Sequence, residues 1–209
     1  MSSSTPRAVV DTVVLLYFLF VDKVDLLIEL LGDPIATSSI VFDPDDENAP
    51  PSARSEIGKS IDYQSKTSMD ATQDGDDRDR AELRAERLRQ TKRLHEAGRL
   101  VVLDMSASER RVMGQLTDRS GCKAYGLRFP LQAGEAACLA IAAERRLVFA
   151  TDDADALKAL TAIPNSPPYE RIRKLLTRAV EERLLMPTEA TSVHGEMREH
   201  GFWDKPFTF

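Results

Sequence analysis

Acidic residues stand where short apolar runs give out. Ala8, Val9 and Val10 lead into Asp11; Leu147 to Ala150 lead through Thr151 into Asp152 and Asp153, with Asp155 two places further on. Ahead of that second run, Gly134-Glu135 opens the small-residue stretch A-A-C-L-A-I-A-A, which Arg145 and Arg146 close. An apolar run of three or four residues followed by a helical pattern reads as a buried strand feeding a helix. In open parallel sheets, ligands bind in the crevice beyond the carboxyl ends of such strands. If the two strands are neighbours, Asp11, Glu135 and Asp152 or Asp153 meet at one edge of the sheet. Carboxylates crowded together repel unless a cation lies among them. The chemistry expected is therefore that of a hard divalent ion, Mg²⁺ or Mn²⁺, which takes oxygen ligands and keeps several waters. Such an ion can orient a phosphodiester and acidify a water.

Other site chemistries find less support. His95, His194 and His200 lack the spacing of a zinc motif. Neither a Gly-rich phosphate loop nor a G-x-S-x-G elbow occurs. Each acid taken alone has an ordinary explanation: Asp11 and the Thr151-Asp152 pair as helix caps, Glu135 as a first-turn charge facing the helix dipole. Three caps have no reason to fall at strand ends in this order, and that favours a metal site.

The elements needed to position these acids follow from the pattern. Thr12 to Phe20 is apolar on all sides, as suits a helix buried against a sheet. Val24 to Leu31 repeats at helical spacing and stops at Gly32; Ile35 to Thr37 reads as a second strand, with Ile40 to Asp43 starting another helix. Arg78 to Ala97 reads as a long helix and Leu100 to Leu103 as a third strand ending at Asp104. After the acidic cluster, Ala162-Ile163 is the candidate fifth strand before Pro164, and Tyr169 to Leu185 and Pro187 to His200 read as amphipathic helices. Strands alternating with helices place the chain in the α/β class: three layers, α/β/α, around a mainly parallel sheet, helix-rich and with an acidic insertion.

Its 209 residues, 42% hydrophobic and 30% charged, suit one globular domain spanning residues 7–203, between a disordered lead (1–6) and a tail (204–209). The longest clean apolar stretch, Thr12 to Val21, is ten residues, too short for a membrane span, and the start lacks a signal-peptide pattern. A cytoplasmic protein with reduced Cys122 and Cys138 is expected. Between Asp43 and Arg80 there are 11 acidic residues against 5 basic, the whole of the net charge of −6. Residues 44–79 read as a polar acidic insertion or flap, and the rest of the chain is balanced in charge. Arginine-rich helices thus stay available to meet phosphate. Arg84 and Arg87 are the candidate RNA contacts, although a solvated helix face with Glu82 and Glu86 explains them as well. Phe202 and Trp203 read as a hydrophobic latch rather than a base-stacking platform.

The order strand-Asp11-Thr12, then G-E-A-A-C-L-A-I-A from Gly134, then L-V-F-A-T-D-D-A-D from Leu147, with G-F-W-D from Gly201 at the close, resembles the PIN-domain nucleases, which include the toxin ribonucleases of bacterial toxin–antitoxin pairs. The resemblance covers most of the chain and is specific in its three acidic patches. It implies a metal-dependent endoribonuclease acting on single-stranded RNA, with Asp11, Glu135 and Asp153 as catalytic metal ligands, Asp152 beside them, and Asp155 where some members carry a further acid. The early second acid of that family falls to Asp43 by spacing, with Glu47 and Glu56 competing. A catalytically weak or inactive PIN-fold module that binds nucleic acid or protein is the alternative. An antitoxin partner and a homodimer are implied by the resemblance alone.

Overall fold

A strand of three residues with every side chain buried has to lie inside a sheet covered on both faces. That is the position of β1 (Ala8–Val10) in the computed structural model, which describes residues 5–70, 72, 74–163 and 166–207. Around it the chain runs α1 (Thr12–Phe20), α2 (Val24–Leu31), β2 (Ile35–Ser38), α3 (Glu56–Met69), α4 (Gly75–Glu96), β3 (Leu100–Leu103), α5 (Ala107–Thr117), α6 (Ala133–Arg145), β4 (Val148–Ala150), α7 (Ala154–Leu160), β5 (Tyr169–Glu170), α8 (Ile172–Glu181) and α9 (Pro187–Glu199). Among the described residues the strands form one parallel sheet in the order β3-β2-β1-β4-β5. The expected α/β class and three-layer arrangement are those observed.

The layers follow from which helices touch. On one face α1 lies against α2, α3, α4 and α9, and α8 against α2 and α9. On the other, α6 lies against β1, β2 and β4 and is flanked by α5 and α7. The small residues of α6 are what allow this: Ala136, Ala137, Cys138, Ala140 and Ala142 are buried, so the helix axis can approach the sheet closely. Phe18, Leu15 and Leu19 of α1 and Phe149 of β4 fill the core as fully buried side chains. Burying one such side chain contributes about 1.5–3 kcal/mol. Among the described residues no helix is long and apolar enough to cross a membrane.

Several elements differ from the sequence reading. Ile40 to Asp43 is a turn, closed by bonds from the Val41 and Phe42 N–H groups to the Ser38 carbonyl. Within the segment read as an insertion or flap, the helix expected over Arg54 to Tyr63 is α3, which runs on to Met69 and packs along α4 with Ile57 fully buried. Helix α4 begins three residues earlier than expected because Asp74 caps it, accepting from the Asp77 N–H at 2.8 Å. The fifth strand is not Ala162-Ile163, which lies in a turn. It is Tyr169–Glu170, whose backbone completes the edge of β4: Phe149 N–H donates to Pro168 O and Thr151 N–H to Glu170 O. Helix α8 accordingly starts at Ile172 rather than at Tyr169. Met1 to Ser4 of the expected lead, Pro164, and Thr208-Phe209 of the tail lie outside the described residues.

Candidate active site

Strand order reverses between β1 and β4, since the chain leaves β1 toward β2 and β3 on one side and returns to β4 and β5 on the other. The crevice at such a switch point is where α/β folds bind ligands. In register, Val10 faces Ala150, so the next residues, Asp11 and Thr151, are lateral neighbours at the carboxyl edge. Both are fully buried. Asp11 caps α1 by accepting from the Val14 N–H at 2.8 Å, and its other oxygen accepts from the Thr151 hydroxyl. Thr151 Oγ1 in turn accepts from the Asp153 N–H at 3.1 Å, and Asp153 caps α7 through the Ala156 N–H at 2.6 Å.

Two more carboxylates come from helix starts. Glu135, in the first turn of α6, accepts from the Gln132 N–H at 3.3 Å. Glu56, in the first turn of α3, accepts from the Thr12 hydroxyl and from the Gly134 N–H, the latter at 3.0 Å. That approach needs a glycine: a Cβ at position 134 would stand 2.3 Å from Glu56 Oε2. Ser55 fixes the start of α3 by accepting from the Gly58 N–H, and Asp46 holds Ser55 in place through its N–H at 2.8 Å and its hydroxyl.

The electrostatics follow from crowding without a counter-ion. Burial pushes the Asp11 carboxyl up to about 8; the Thr151 and Val14 hydrogen bonds oppose this, while the charges of Glu135 and Asp152 add to it. Burial likewise pushes Glu135 up to about 7, with further contributions from Asp153, Glu56 and Asp155. Among the described residues no Lys, Arg or His pairs with Asp11, Glu56, Glu135 or Asp153.

Asp11 thus lies in the field of Glu135 and Asp152, and Glu135 in that of Asp153 and Asp155. Glu56, a competitor for the second acid, joins them. Asp43 does not: it accepts from the Asp45 N–H at 2.9 Å and faces a separate depression beside Arg89 and Phe42. Glu47 pairs with Lys92 at 3.1 Å. Asp152 turns its carboxylate away to Arg171 Nε at 2.9 Å and the Ile172 N–H at 2.5 Å, at the start of α8. Of the candidate RNA contacts, Arg84 is engaged in packing, over the Phe20 ring and donating to His200 Nδ1 at 3.0 Å, and Arg87 is half-buried on the same helix. The sequence offered a faint signal for Glu56, a serine cap with an acid in the following turn; nothing in it ranked Glu56 above Asp43.

The donor set of Asp11, Glu56, Glu135 and Asp153 is all carboxylate, the chemistry that Mg²⁺ and Mn²⁺ take. Among the described residues no three His, Cys, Asp or Glu side chains already stand as a ready cage for an ion. Glu135 Oε1 and Asp153 Oδ2 are outside the hydrogen bonds described above, so each keeps an oxygen for a ligand. The set therefore fits a hard cation in kind, with side-chain adjustment needed to close around it. No family model, curated protein or solved structure matches this chain.

Proposed function

We propose that this protein is a Mg²⁺- or Mn²⁺-dependent endoribonuclease of PIN type that hydrolyses phosphodiester bonds in single-stranded RNA. One observation carries the reading: at the switch point of a parallel sheet burial and neighbouring acids push Asp11 and Glu135 up to about 8 and about 7, and among the described residues no basic side chain pairs with them or with Glu56 or Asp153. Asp11, Glu135 and Asp153 would hold the ion, with Glu56 in the role that spacing had given to Asp43. When bound, the ion supplies Lewis-acid charge at the phosphate and a water acidic enough to serve as nucleophile.

The residues of the chain have separable roles. Thr151 and the Val14 N–H orient Asp11, so that its carboxyl group is fixed in position in the crevice before substrate arrives. Thr12 and the Gly134 N–H fix Glu56 in the same way. In the metal-free chain Glu135 is raised to about 7 by burial and the neighbouring acids, so a cation among them would favour its charged, ligating form.

The test is titration of Mn²⁺ into wild type and into the Asp11→Asn, Asp153→Asn double variant, in which asparagine keeps both helix caps. Wild type is expected to bind the ion calorimetrically, gain thermal stability at pH 8 and cleave a mixed single-stranded RNA; the variant is expected to lose all three. At a hundredfold excess over Kd, binding stabilises by about 2.7 kcal/mol. A wild type that takes up no Mn²⁺ at millimolar concentration sinks the nuclease reading. It would favour the second one, a catalytically inactive PIN-fold binding module. The observation on that side is that no three donors stand ready as a cage among the described residues.

A further inference from the structure

Adjacent residues near the end of the chain have opposite fates. Phe202 is 7% exposed and packs on Tyr17 and His194, whereas Trp203 is 99% exposed. Burial of Phe202 anchors the backbone and so presents the indole of Trp203 to solvent on a fixed support. An indole held wholly in water is free to stack on a ligand, as a core side chain is not.

Its surroundings are basic. Trp203 lines a depression with Arg198 and Lys205, which make no ion pair among the described residues. A second depression is lined by Tyr169, 44% exposed, with Arg171, Arg173 and Lys174. Arg173 joins the two, because it pairs with Asp204 and donates to Pro206 O at 3.0 Å. Of the five cations lining the two depressions, Arg171 pairs with Asp152, Arg173 with Asp204 and Lys174 with Glu170, which leaves Arg198 and Lys205 as the excess of positive charge among the described residues, in a chain of net charge −6. The depression beside Phe42 is different: Arg89, Lys92 and Arg93 meet Asp43, Asp46, Glu47 and Glu96 there. The concentration of positive charge is therefore local to the α8 and tail face.

That face begins at the acid cluster. Arg171 holds Asp152, the neighbour of Asp153, and Tyr169 lies in β5, next to β4 in the sheet. We infer that the channel from Arg171 past Arg173 to Trp203 carries a single-stranded RNA segment away from the carboxylate crevice, its phosphates meeting the cations and its bases stacking on Tyr169 and Trp203. This rests on the proposed nuclease reading and adds the path of the substrate. Charged grooves interleaved with aromatic rings bind single strands this way, since every base offers a stacking face.

The experiment uses the full chain in EDTA, so that nothing is cleaved, and a short fluorescein-labelled single-stranded RNA of mixed sequence. Trp203 is the one tryptophan in the sequence, so its emission reports on this site alone. Binding seen by anisotropy is expected to quench it with the same midpoint. Trp203→Ala should weaken binding about tenfold and Trp203→Phe much less, in line with loss of one stacked base. Arg198→Gln with Lys205→Gln should lower the slope of log K against log salt by roughly one to one and a half, as expected for two lost phosphate contacts. Unquenched Trp203 and unchanged affinity in Trp203→Ala, with cleavage by wild type in a parallel assay in Mn²⁺, overturn the path and leave the nuclease reading standing. Neither binding nor cleavage by wild type overturns both. Concentration-dependent self-association of wild type that Trp203→Ala abolishes, with RNA affinity unchanged, would make this face a contact between copies of the chain and overturn the RNA path.

Discussion

Burial acts on the carboxylates at the β1/β4 edge and on those beside α5 and α8 in the same direction, yet their charge states end far apart. For Glu109 burial raises the pKa, and hydrogen bonds from Arg145 outweigh it and hold the group below the ordinary carboxylate range. For Asp204 burial again raises it, and bonds from Arg173 and His194 prevail. At the sheet edge Asp11 and Glu135 have only neutral donors and other acids around them, and both go up. A guanidinium opposes burial without always outweighing it, since Asp152 stays above its ordinary value although Arg171 pairs with it; at Asp11 and Glu135, among the described residues, no such opposition is present. A structural ion pair supplies its own cation, whereas among the described residues this edge supplies none.

The comparison can be broken at either side. Its largest expected effect is on pH dependence. The metal-free folded chain keeps protons on Asp11 to about 8 and on Glu135 to about 7, while the unfolded chain releases them near their ordinary 3.8 and 4.5. The folded state therefore binds more protons across this window, so stability falls as pH rises from about 4 through about 8. Asp11 alone gives a slope approaching 1.4 kcal/mol per pH unit by the usual conversion, roughly 5 kcal/mol over the whole window. Urea unfolding in EDTA across that range should show the fall, and Asp11→Asn should flatten most of it; an unchanged slope would break the contrast.

On the paired side, Arg145→Met leaves Glu109 buried without its partner and is expected to destabilise by about 2–3 kcal/mol at pH 7, and less in acid, where the unpaired carboxyl takes up a proton. Denaturant midpoints at pH 7 and in acid check this. Thr151→Val removes the foremost interaction holding Asp11 down. It should move the Asp11 titration higher still, followed by carboxyl infrared difference spectra, and destabilise by about 1 kcal/mol. The smallest stability effect belongs to Gly134→Ala. The gain in helix propensity, about 1 kcal/mol, offsets displacement of Glu56 by the new Cβ, so unfolding changes little while Mn²⁺ affinity falls. A variant with wild-type Mn²⁺ affinity would remove Glu56 from the site.

The sequence by itself determined the alternation of strands and helices, the strand ends at Asp11 and at the Thr151 cluster, and the small-residue character of α6. Those are local properties: an apolar run of three or four residues between polar ones, or a run of alanines, is visible without knowing what it touches. Only the tertiary structure decided the rest. Glu56 reaches Thr12 across 44 positions, carried by a helix whose polar sequence E-I-G-K-S-I-D-Y-Q-S-K-T-S-M gives no sign of what it packs against. Asp152 and Asp153 are indistinguishable as neighbours in a row of acids. The start of α8 and Arg171 claim the first, and the cap of α7 leaves the second at the crevice. The two residues of β5 have no periodicity of their own, and their strand exists because β4 has an open edge to pair. Spacing along the chain favoured Asp43, but a carboxylate's field acts through space, and the fold brought Glu56 into it.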